Sequence, residues 1–101
     1  MNEEELARYM ERKREEYSSP EVMNNLKQMV SYMLNIEVYG FAEKVLAGWT
    51  LEILCFTIHT TEGRGMYLAL LEHLGKHHSQ MAKKYWEIYD NQENIIERYR
   101  R

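Results

Sequence analysis

From Phe41 to Thr61 the chain reads FAEKVLAGWTLEILCFTIHTT, which as a helix leaves one narrow polar line of Lys44, Gly48, Glu52, Cys55 and His59. A helix that is apolar on nearly every other side must be wrapped by neighbours, so this segment is expected to be the central helix of a bundle. Its β-branched and aromatic residues after Trp49, and the alternation Thr50-Leu51-Glu52-Ile53, also suit a strand. Helix is preferred because Lys44, Glu52 and His59 hold helical phase across sixteen residues and no second strand-like segment is there to pair with.

The flanking segments show helical patterns of different character. Asn2 to Tyr17 is charged, with Glu4 to Arg8 and Arg12 to Glu16 spaced for exposed ion pairs worth about 0.2–0.5 kcal/mol each. Its apolar stripe, Leu6, Met10 and Tyr17, is thin, so residues 1–18 are expected to form a peripheral helix or arm beside a bundle domain of residues 19–101. Ser18-Ser19-Pro20-Glu21 punctuates the chain, since serine caps free N–H groups and proline favours the first helical position. Beyond it Val22, Leu26, Met29, Met33 and Ile36 recur at helical steps, Met23, Val30, Leu34 and Val38 widen that face, and Gly40 suits a left-handed helix end.

Thr60-Thr61-Glu62-Gly63-Arg64-Gly65 is the glycine-dense segment and predicts the turn that reverses the chain. Met66, Tyr67, Leu70, Leu71, Leu74, His78, Met81, Ala82, Tyr85 and Tyr89 then share one helical register, with a kink expected at Gly75. Asp90-Asn91-Gln92-Glu93 resembles a capping sequence that would start a short separate helix holding Ile95, Ile96 and Tyr99. The predicted fold is therefore all-α, a small bundle of four helices, or five if the chain restarts there.

Composition supports this picture. With 101 residues, one proline and five glycines, the chain fits a single helical domain better than many short strands. Residues 1–62 carry 11 acidic and 6 basic side chains and residues 63–101 carry 5 and 7, so net charges of −5 and +2 set an acidic part against a mildly basic one. Cys55 is the lone cysteine, which excludes an intramolecular disulfide. The acidic MNEEE start is unlike a secretory leader, and the apolar run Val45 to Ile58 is shorter than the roughly 20 residues of a membrane span. A soluble cytoplasmic protein is the expectation.

Candidate chemistry is sparse. His73 and His77 lie one turn apart, and folding about Gly63 would set Glu52 near them, making a candidate zinc or iron site. The blander alternative places these histidines on a solvated face. Lys83, Lys84, Trp86, Arg98, Arg100 and Arg101 interleave positive charge with aromatic rings, as nucleotide or nucleic-acid binding requires, although basic residues also favour a helix C-terminus on electrostatic grounds alone. A helix-turn-helix is disfavoured because the helix after the turn opens Met66-Tyr67-Leu68-Ala69, core residues where a base-reading helix needs polar ones. The serines lack a nucleophile elbow and Gly63-Arg64-Gly65 lacks the lysine of a phosphate loop, so enzyme activity and a resident cofactor are not expected.

The two apolar segments want more cover than the thin first helix supplies. A homodimer or higher oligomer would provide it, with Leu26, Met29, Met33, Trp49 and Ile53 at the interface. In general character the chain resembles small acidic helical regulators and inhibitors carried by phages and mobile elements. The expected function is a non-enzymatic interaction protein that binds and regulates or inhibits a macromolecular partner, a protein in the first instance.

Overall fold

Helices form where capping residues and apolar periodicity coincide in the computed structural model, which describes the backbone of residues 2–100 and the side chains of residues 2–94. Helix α1 (Glu3–Tyr17) starts at Asn2, whose side chain accepts the Glu5 N–H at 2.8 Å, and Glu3, Glu4 and Glu5 complement the positive end of the helix. It buries none of its residues. Helix α2 (Pro20–Leu34) starts at Ser19 with proline in its first turn, as the punctuation predicts. Helices α3 (Phe41–Leu54), α4 (Thr61–His77) and α5 (Ser79–Arg100) complete an all-α bundle of five helices, with no strand among the described residues. Among those residues no helix is long and apolar enough to cross a membrane.

The axis of the bundle is α4, not the segment 41–61. Helix α4 packs against α2, α3 and α5 together, and its Tyr67, Leu70, Leu71 and Leu74 are fully buried. Leu26, Val30 and Met33 of α2, Ala47, Leu51 and Leu54 of α3, and Ala82 and Tyr85 of α5 close around it. Each leucine so enclosed contributes about 1.5–3 kcal/mol relative to exposure. The polar end of Tyr67 is met inside this core, its hydroxyl donating to the Tyr85 carbonyl at 2.6 Å.

Segment 41–61 cannot be one rod because it unwinds after Leu54. Thr57 Oγ1 donates to the Leu54 carbonyl at 2.7 Å and Thr60 Oγ1 to the Thr57 carbonyl at 2.7 Å, so threonine hydroxyls compete for the acceptors a continuing helix would use. The glycine-dense stretch is not the turn itself. Thr60 caps α4 by accepting the Gly63 N–H at 3.0 Å, and Gly63 and Gly65 lie within the opening turns of that helix. A Cβ on Gly63 would overlap the backbone and side chain of Thr57, so a bare Cα lets the 55–60 link cross tightly over α4.

Two other breaks fall away from their predicted places. Helix α2 stops at Leu34 because the Asn35 side-chain amide takes the Ser31 carbonyl at 2.8 Å, and Gly40, in extended conformation, instead precedes α3. The backbone of α5 runs unbroken through Asp90–Glu93, and the interruption falls at His78 rather than Gly75. His78 closes one helix and opens the next. Its N–H donates to the Leu74 carbonyl at 2.6 Å and its carbonyl accepts from Ala82 at 3.1 Å.

Gly63→Ala should destabilise the domain by about 2 kcal/mol or more, because the link must move. Gly65→Ala, with nothing near its Cβ position, should stabilise it by about 0.4–1 kcal/mol. Urea denaturation midpoints of the two variants distinguish these outcomes from a shared helix-propensity effect, which would shift both the same way.

Candidate interaction face on the third helix

Helix α3 has two unlike sides. In the core around α4 it buries Ala47, Leu51 and Leu54, Gly48 is buried against Tyr85 of α5, and Thr50 is buried with its hydroxyl donating to the Leu46 carbonyl at 2.8 Å. On the other side Phe41, Val45 and Trp49, spaced four residues apart, are 85%, 39% and 64% exposed, and Val38 just before the helix is 82% exposed. Single exposed apolar residues are ordinary on protein surfaces. Here three lie in a row on one side of a helix and two of them are aromatic, which makes the ridge a candidate contact surface.

Beside this ridge runs an open groove of about 330 Å³ between α3 and α5. Lys44, Gly48 and Glu52, the polar line of the sequence, form one wall together with Phe41, Val45 and Trp49 of the ridge, while Met81, Lys84 and Tyr85 form the other. Gly48 leaves room for the Tyr85 hydroxyl, which would sit 3.0 Å from a Cβ at that position. Lys84 Nζ lies 5.3 Å from the centre of the Tyr85 ring, a cation–π arrangement. Among the described residues the ion pairs are Lys13–Glu16 and Arg64–Glu93, so Lys44, Glu52 and Lys84 all enter the groove without an opposite charge in contact.

Cys55, at the end of this wall, is half-buried and its Sγ donates to the Glu52 carbonyl at 2.8 Å. Burial, then the Glu52 charge, push its pKa up to about 11, which keeps the thiol protonated and unreactive near neutrality.

The structure brings His73 and His77 together but not Glu52. The two imidazole rings lie 4.6 Å apart against Tyr39, whereas Glu52 lines the α3–α5 groove. Among the described residues no three His, Cys, Asp or Glu side chains converge on a common point where a metal would sit. His73 instead pins the α2–α3 link, its Nε2 lying 2.7 Å from the Ile36 carbonyl, and Tyr39 donates to the Met33 carbonyl at 3.0 Å. With a carbonyl as partner, Nε2 carries the hydrogen.

The remaining sequence candidates separate by burial. Leu26 and Met33, expected at an interface, are 2% and 0% exposed and belong to the core of the single chain. Met29 and Ile53 are half-buried, which leaves Trp49 as the member of that set largely in water. Lys83, Lys84 and Trp86 are exposed on α5, with Trp86 edge-on to Tyr89 at 6.0 Å. The side chains of Arg98 and Arg100, and Arg101 entirely, lie outside the described residues. Phe41 and Val45 share a four-residue spacing with Trp49, a signal present in the sequence, but periodicity alone does not say that this side of the segment stays uncovered.

Compared with known proteins, the chain matches no protein family, no curated protein and no solved structure.

The protonated groups beneath the groove set a pH dependence. Burial raises the pKa values of Tyr67 and Tyr85, and that of Cys55 to about 11, so the folded chain holds these protons to higher pH than the unfolded chain. Their stabilisation is complete below the ordinary thiol and phenol range and is lost as pH rises from there through the raised pKa values of the folded chain. Stability to urea should fall by at least about 1 kcal/mol between about pH 8 and about pH 10.5, and Tyr67→Phe should flatten the decline. Denaturation curves at the two pH values test this, and an unchanged midpoint would contradict it.

Proposed function

We propose that the protein is a non-enzymatic interaction module that binds a protein partner through the outer side of α3 and regulates or blocks it. The observation that carries this reading is the ridge of Phe41, Val45 and Trp49, held in water on a helix whose other side is anchored in the core. A rigid helix presenting aromatic side chains loses little conformational freedom on binding, and aromatic residues dominate the energetics of protein contacts. Trp49 would be the central anchor, with the Lys44, Glu52 and Lys84 charges selecting among partners.

The reading also accounts for why α3 is so apolar. Burial against α4 needs only one side of it, and the ridge adds apolar area that the fold of a single chain does not use.

Site-specific photocrosslinking tests the reading. A photoreactive amino acid at position 49 should give one dominant protein adduct in cells, and the same group at exposed Gln80 should give none at comparable yield. Equal, diffuse labelling from both positions would overturn the assignment of the α3 face. Trp49→Asp, which leaves the core untouched, should change the thermal midpoint little while abolishing complex formation.

A further inference from the structure

We infer that the occupant of the α3 face is a second copy of this chain, docked with its own α3 antiparallel across a twofold axis near Ala47 and Gly48. This rests on the reading of that face as a protein contact and names its partner. Two helices related by such an axis run in opposite directions, and a side chain on one flank meets the same flank of the other helix with its position reversed. A sequence suits this arrangement when opposite charges sit on one flank at equal distances from a central point.

Helix α3 meets that condition. Lys44 and Glu52 lie on the same wall, eight residues apart, with Gly48 between them. Under the twofold axis Lys44 faces Glu52 of the second copy, and the pair is made twice. The apolar ridge has nearly the same centre. Val45 meets Trp49 of the second copy and Phe41 meets its Ile53 when the axis passes at Ala47, one residue or about 1.5 Å from the centre of the charged pairs. Lysine and glutamate side chains span that offset easily.

Neither charge is paired within the chain among the described residues, so docking removes no existing ion pair. Phe41 and Trp49 together expose roughly 200–400 Å² of side-chain surface, comparable to the largest apolar patch of an ordinary monomer and about a quarter to a half of the ~800 Å² that each partner buries in a stable interface, so the flanking charges must complete the contact. A partner of single charge sign fits less well, because Lys44 and Lys84 would favour an acidic chain that Glu52 in the same groove repels. The outer face thus matches itself in the order of its apolar residues and in charge.

Sedimentation equilibrium of the full chain and of charge-reversed variants decides the matter. The chain should sediment at twice its 12.2 kDa mass. Lys44→Glu and Glu52→Lys should each weaken dimerisation by about tenfold or more, since each turns two attractions into two repulsions. The double variant Lys44→Glu with Glu52→Lys should restore the dimer to within about threefold, because the swapped charges again oppose each other. Circular dichroism should be unchanged in all three, as both side chains lie outside the core. A chain that stays monomeric, a dimer indifferent to the single reversals, or a double variant as weak as the singles would each overturn the antiparallel pairing. The position-49 crosslink separates this failure from that of the proposed function. An adduct with a different protein would leave the α3 face as a binding surface while removing the second copy from it.

Discussion

The enclosure of α4 constrains everything else in this protein. Tyr67, Leu70, Leu71 and Leu74 have no exposure, and three helices must approach at once to achieve it. That approach depends on a crossing at the start of α4, where Gly63 lets the chain pass against Thr57. Once α4 holds the centre, each surrounding helix can bury one side only. Helix α2 spends its apolar face inward through Met23, Leu26, Val30 and Met33. Helix α3, apolar on both sides, has one side left over.

Polar side chains in the links make this packing definite. Asn35, Tyr39 and His73 satisfy carbonyls where the chain leaves α2, and Thr57 and Thr60 do so between α3 and α4. At the other corner Ser18 and His59 approach to 3.4 Å and the Tyr17 and Phe56 rings to 5.7 Å, which attaches the end of α1 while the rest of that helix stays on the surface. His59 and His73, which draw the eye as ligands, are accordingly occupied in holding corners, and the exposed ridge on α3 is apolar.

Helix content and the two N-terminal helix starts were legible from local chemistry. Asn2 with three glutamates, and Ser19 with Pro20, cap helices whatever surrounds them. Helix ends were harder, because Asn35, Thr57 and His78 stop helices through hydrogen bonds whose value depends on three-dimensional neighbours. Periodicity identified α3 as unusually apolar but cannot say whether its second side is covered by the same chain. That distinction decides whether Phe41, Val45 and Trp49 join the core or stay in water.

A leftover apolar side on α3 therefore follows from the central place of α4, and the binding role proposed for it stands on that hierarchy. Native-state hydrogen exchange measures the hierarchy directly, since amides freed only by global unfolding mark the innermost element. The slowest exchange should fall at Met66–Leu74, with α1 exchanging faster by orders of magnitude and α3 between them. If the slowest amides lie in Val45–Leu54 and those of α4 exchange through smaller openings, α3 is the axis after all, and the account of its free outer side is wrong.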